Sequence, residues 1–167
     1  MKAETKLGII LLLVFILLYI VPLPANSETI DTPHIEWFQE VCAIENIPLE
    51  IALGLAIVES NIQMINSEVN SNGSIDIGIM QINSRYVNYF EEQLWYRDLP
   101  FDVYDPEDNI RMGILILKHL YIETHEWDKA IRAYNRGLYK TKADPDAGWD
   151  YLVKVINVVN TLRLEAH

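Results

Sequence analysis

Glu59 closes an apolar stretch with helical spacing, and Asp76 follows it beyond a turn rich in asparagine and glycine, Asn70-Ser71-Asn72-Gly73-Ser74. A carboxyl group at the end of an apolar helix is poorly solvated, so its pKa rises and it holds a proton near neutral pH. A general acid needs that property to protonate a leaving oxygen such as that of a glycosidic bond. The run Gly78-Ile79-Met80-Gln81-Ile82-Asn83 comes next and adds two side-chain amides, each both donor and acceptor. Singly, these features are ordinary. A lone glutamate at a helix end is usually a solvated surface residue, an Asn-Gly pair is a turn, and alternation around Gln81 is common in strands packed on a core. Their succession between Glu59 and Ser84 is far less common.

The elements that must hold this stretch read as helices. His34 to Glu45 forms the first, and Pro48 opens the second, where Leu49, Ala52, Leu53, Ala56 and Ile57 make one apolar face that delivers Glu59 near its end. Residues 66–82 read as irregular or short β structure, with alternation after Ile75. A helix is expected from Ser84 to about Tyr96, capped by Ser84 or Asn83 and broken at Leu99-Pro100. Asp105-Pro106-Glu107-Asp108 is a strong helix start, followed by a core face of Ile110, Gly113, Ile114, Leu117, Leu120 and Tyr121. A short helix from Asp128 carries Ala130, Ile131 and Tyr134 and ends at Gly137, and Tyr139 to Gly148 reads as a polar loop. Trp149 to Leu164 is a last amphipathic helix with Leu152, Val155, Ile156, Val159 and Leu162 inward. The sequence contains no internal repeat, and its 167 residues suit one domain.

Composition narrows the function classes. Two lysines within Met1–Lys6 precede fifteen uncharged residues, Leu7 to Val21, and then Pro22-Leu23-Pro24-Ala25 with a small residue suited to cleavage. This pattern predicts a signal peptide over residues 1–25, an uncleaved N-terminal anchor being the alternative, since a span usually needs about 20 apolar residues. The expected location is periplasmic, or inner-membrane anchored facing the periplasm. Loss of residues 1–25 would move the formal charge from −11 to −12, which excludes nucleic acid as a partner. The single Cys42 lies in a helical apolar pattern and reads as a buried, inert thiol. His34, His119, His125 and His167 are scattered, and neither a metal-ligand motif nor a phosphate-cradling glycine loop is present. No cofactor or metal is expected.

Three pieces of the chain resemble one family. Glu59-Ser60, then Gly78-Ile79-Met80-Gln81-Ile82-Asn83, then Ala133-Tyr134-Asn135-Arg136-Gly137 are similar to the three-part signature of the lytic transglycosylase (SLT) domain, in the family's order. The wording around NSNGSIDIGIMQINS looks most like the small secretion- and pilus-associated branch. Arg136 departs from the pattern, standing where the family more often has a small residue. The same stretch is also similar to animal c-type lysozymes, down to a glutamate and an aspartate seventeen residues apart, although those proteins carry several disulfides and this chain has one cysteine.

The resemblance implies a mainly α, lysozyme-like domain over residues 33–165, with a short irregular or β region beside a catalytic cleft. It also implies an enzyme cleaving the β-1,4 bond between N-acetylmuramic acid and N-acetylglucosamine of peptidoglycan, with a 1,6-anhydro product. Glu59 would be the catalytic acid and then base. Met80, Gln81 and Asn83 would line the cleft, Tyr134 would hydrogen-bond and orient Glu59, Asn135 would support that wall, and Ser60 would shape the acid's pocket. Asp76 would have a secondary role. The partners implied are peptidoglycan strands and a secretion or pilus apparatus. Two alternatives remain open at this point: a retaining muramidase that uses Asp76 as its second carboxylate, and a catalytically silent glycan-binding scaffold.

Overall fold

The computed structural model describes residues 32–93 and 102–165. The expected leader, the end of the helix expected to reach Tyr96, and the break at Leu99-Pro100 lie outside them. Seven helices and one two-stranded sheet make up the described residues, in the order α1 (Thr32–Glu45), α2 (Leu49–Ser60), β1 (Asp76–Ile77), β2 (Ile82–Asn83), α3 (Val87–Gln93), α4 (Pro106–Thr124), α5 (Trp127–Arg136), α6 (Leu138–Ala143) and α7 (Trp149–Glu165). The mainly α expectation holds.

Helix α2 is the central rod. Ile51, Ala52, Leu53, Gly54, Leu55 and Ala56 are all buried, so it is apolar nearly all round rather than along one face. A helix of that kind belongs inside a core, covered by neighbours on several sides. Helix α1 packs on one side of it and α7 on the other, while α4 packs against α1 and α5. The approach of α2 to α7 is close: a Cβ on Gly54 would sit 2.7 Å from Cγ2 of Val159. Phe38, Leu53, Ile79, Ile110, Ile114, Leu117, Ile131 and Val155 fill the centre.

Helix α2 ends in a sharp reversal. Asn61 and Ile62 both take left-handed φ angles, 56° and 59°. The Asn61 N–H donates to the Ile57 carbonyl (3.0 Å) and the Ile62 N–H to Ala56 (3.4 Å), satisfying carbonyls that the helix end leaves open. A β-branched residue in this region is strained, and burial of Ile62 holds it there. The reversal sends the chain into the small antiparallel sheet, where Asp76 pairs with Asn83 and Ile77 with Ile82, and Asn66 bridges to Ile77.

Three sequence expectations are corrected. Helix α3 starts at Val87, because the proposed caps are used elsewhere: Ser84 Oγ accepts from Ile75 N–H (3.1 Å), and Asn83 Oδ1 accepts from Arg85 N–H in a turn before the helix. The stretch from Tyr139, expected to be loop, contains helix α6, whose one buried residue, Thr141, bonds back to the Gly137 carbonyl. Its polar composition hid a single helical turn restarted after Gly137, at φ 82°. Ile156 points away from the core and is 37% exposed, its inward place on α7 taken by the buried Tyr151. The remaining starts and stops agree: Asp105 caps α4 by accepting from Glu107 and Asp108 N–H, and Gly137 ends α5.

Candidate functional site

Glu59, in the last turn of α2, reaches into a cleft of about 680 Å³. The sheet supplies Asp76, Gln81, Ile82 and Asn83 to its wall, α5 supplies Tyr134, Asn135 and Arg136, and α6 supplies Tyr139 and Lys140. Tyr86, Tyr89 and His119 also line it. The expected grouping of Glu59, Asp76, Gln81, Asn83, Tyr134 and Asn135 around one cavity is therefore present.

The electrostatics of Glu59 set what it can do. Burial pushes its pKa from 4.5 up to about 7, a hydrogen bond from Tyr151 pulls it down, and the nearby Asp76 charge raises it. The Tyr151 hydroxyl donates to Oε1 at 2.5 Å, linking residues 92 apart in sequence. Burial and the negative charge of Glu59 raise the pKa of Tyr151 strongly, so it remains a donor. Glu59 is thus a carboxyl that both holds and releases a proton near neutrality, as a group serving first as acid and then as base must.

Asp76 has a different environment. Asn83 Nδ2 donates to Oδ1 (2.7 Å) and Asn70 Nδ2 to Oδ2 (3.1 Å), while Ser74 Oγ accepts from both amides. Both oxygens of the carboxylate are held by neutral amide donors, which fixes its direction. Two carboxyls in one cleft, one desolvated and one held by amides, are driven into unlike roles.

The other expected site residues divide between cleft and support. Gln81 and Asn83 line the cleft, Gln81 at φ 49° with Nε2 bonded to the Ile65 and Gly78 carbonyls. Asn135 is exposed on the cleft wall. Met80 does not line it: its side chain is 0% exposed and packs on Gly113, where a Cβ would come within 2.4 Å of the Met80 Cβ. Its carbonyl accepts from the Tyr134 hydroxyl (2.9 Å). Tyr134 therefore braces the Met80 backbone, and Tyr151 holds Glu59 instead. Ser60 is buried behind the cleft, its Oγ donating to the Ile79 carbonyl (2.7 Å) and accepting from Gln63 N–H (3.2 Å). It ties the end of α2 to the Gly78–Asn83 run rather than facing the cavity.

Two supporting residues escaped the sequence reading. Tyr151 lies in an amphipathic helix, and only its reach across to α2 distinguishes it from packing. Asn109, fully buried on α4, donates to the Ile77 (3.0 Å) and Val103 (2.9 Å) carbonyls and accepts from Met80 N–H (2.9 Å). Its signal in the sequence was a lone amide beside Ile110, within the buried face of α4. Gly78, at φ 76°, lets the strand approach it; a Cβ there would meet the Asn109 amide at 2.3 Å.

The family model described as the transglycosylase SLT domain matches residues 36–149. No curated protein matches the chain.

Proposed function

The chain belongs to the transglycosylase SLT domain family, a peptidoglycan-acting family, and from that premise we propose that it is a lytic transglycosylase cleaving the β-1,4 bond between N-acetylmuramic acid and N-acetylglucosamine. The observation that carries the reading is Glu59: a half-buried carboxyl with its pKa raised to about 7, at the wall of a cleft that it shares with Asp76. Glu59 donates its proton to the glycosidic oxygen as the bond to the muramyl C1 breaks. The resulting carboxylate accepts the proton of the muramyl 6-hydroxyl, whose oxygen closes on C1 to give the 1,6-anhydro ring. One titrating carboxyl suffices, because the nucleophile belongs to the substrate and no water is consumed.

Asp76, fixed by Asn70 and Asn83, acts as a standing negative charge beside the oxocarbenium-like centre. Both of its oxygens already accept hydrogen bonds, which supports a stabilising role over that of a covalent nucleophile. With the Gln81 Nε2 committed to two carbonyls, its amide oxygen is left as the acceptor for an N-acetyl N–H. The N-terminal pattern of residues 1–25 supports export to the periplasm, and the resemblance of the Asn70–Ser84 stretch supports use by a secretion or pilus apparatus.

Mass spectrometry of products from purified glycan strands tests the reading. Muramyl ends lighter by one water are expected. Free reducing ends would identify a hydrolase, and intact strands a binding protein.

A further inference from the structure

We propose that Arg136 and Lys140 form a carboxylate-binding rim on the cleft, which selects muramyl residues whose O3 lactyl substituent bears negative charge. The inference rests on the peptidoglycan reading above and adds to it what is recognised beyond the sugar backbone.

The chain has 24 acidic and 13 basic side chains. Among the described residues most cations are already engaged. Arg111, Lys118, Lys129, Lys142 and Arg163 are in ion pairs, and the buried Arg132 lies over the Trp149 ring and donates to the Pro145 carbonyl. Arg85, Arg136, Lys140 and Lys154 are exposed and form no ion pair among the described residues, and of these Arg136 and Lys140 line the cleft. Neither Glu59 nor Asp76 pairs with them: Glu59 accepts from Tyr151 and Asp76 from two asparagines. Two unneutralised cations are thus concentrated on one wall of a strongly acidic protein.

Their placement is built by the backbone. Arg136 ends α5, Gly137 turns the chain, and α6 returns Lys140 to the same wall with Tyr139 between them, 87% exposed. Gly148 packs beneath the Arg136 stem, a Cβ there standing 3.2 Å from its Cγ. The rim therefore offers a planar two-donor guanidinium, a point charge and an aromatic face side by side. A glycan backbone of N-acetylated sugars is uncharged. Its anions hang from the muramyl O3: either the lactyl carboxylate itself, where the peptide has been removed, or the carboxylates of the attached peptide. Arg136 and Lys140 match that chemistry and have no counterpart in the neutral sugar ring.

Calorimetric titration of the Glu59→Gln protein, which avoids turnover, tests this with three strand preparations. One carries peptides, one is stripped to the free lactyl carboxylate, and one is stripped and converted to the neutral methylamide. At least one anionic form is expected to bind on the order of tenfold tighter than the methylamide, the difference shrinking with added salt. Which anionic form is preferred identifies the carboxylate. In the Arg136→Gln/Lys140→Gln background the preference should collapse to within about twofold. Equal affinity for all three preparations, or a preference that survives in the double variant, overturns the proposal. Because the readout is binding, an absence of turnover in the parent would sink the transglycosylase reading and leave this result standing.

Discussion

The hydroxyl of Tyr151 donates to Glu59 across 92 residues of sequence, 2.5 Å from Oε1, and so couples the last helix to the acid at the end of the second. The bond stabilises the carboxylate against the burial that favours the acid. Removing the donor in Tyr151→Phe should raise the Glu59 pKa further, moving the alkaline limb of the pH–rate profile upward. More Glu59 is then protonated near pH 7, but the carboxylate formed on proton donation has lost the hydrogen bond that stabilised it. The plateau rate should therefore fall, by about tenfold if the bond is a typical one to a charged group. An unmoved alkaline limb would mean that Tyr151 only packs.

Glu59→Gln keeps the shape and removes the transferable proton. Loss of general acid–base chemistry should lower the rate by about 10²–10⁴. Measured turnover within threefold of the parent would put the acid elsewhere.

The same variant should flatten the dependence of stability on pH. Glu59 has a raised folded-state pKa, about 7 against 4.5, so between those values the folded state binds more protons than the unfolded one. Its contribution is fully present below about pH 4.5 and is lost as pH rises through about 7. The parent Tm should therefore drop between pH 5 and pH 8 by more than that of Glu59→Gln in matched thermal melts. Parallel curves would show that the raised pKa is absent.

Asp76→Asn should reduce turnover clearly less than Glu59→Gln. Asn70 and Asn83 hold the carboxylate as a fixed charge, and a substrate hydroxyl closes the ring in the anhydro-forming route. In a retaining hydrolase the second carboxylate carries the covalent intermediate, so the two losses would be equal. Equal losses together with free reducing ends would turn the assignment to a hydrolase.

Asn109→Ala should destabilise the fold by about 3 kcal/mol, because it leaves two buried carbonyls and one buried N–H unpaired. Urea unfolding checks the magnitude. A change below about 0.5 kcal/mol, the size expected of an ordinary surface substitution, would show that the three bonds are not formed.

The sequence was most legible where local rules act alone. Asp105 with Pro106, and Gly137, marked helix ends because capping and φ are properties of single residues and their neighbours. Glu59 was legible because a carboxyl closing an apolar helix is desolvated wherever that helix packs. The positions misread depend on distant partners. Met80 reads as a wall residue until Gly113 opens a slot for it, and Tyr134 reads as the partner of Glu59 until α7 brings Tyr151 nearer. Asn109 reads as an ordinary polar position until the Gly78 turn arrives against it. Each is fixed by a tertiary contact with no short-range pattern. Helix α6 was missed for a local reason, since six residues with apolar side chains only at the two ends, Leu138 and Ala143, show no apolar period.

The close seam between Gly54 and Val159 also fixes when the chain acquires chemistry. Synthesis completes α2 well before α7, which follows it in the chain. Until Val159 seats on Gly54, Tyr151 is absent from Glu59 and the acid stands in water as an ordinary ionised carboxylate. The environment that raises the Glu59 pKa is thus completed only when that seam closes.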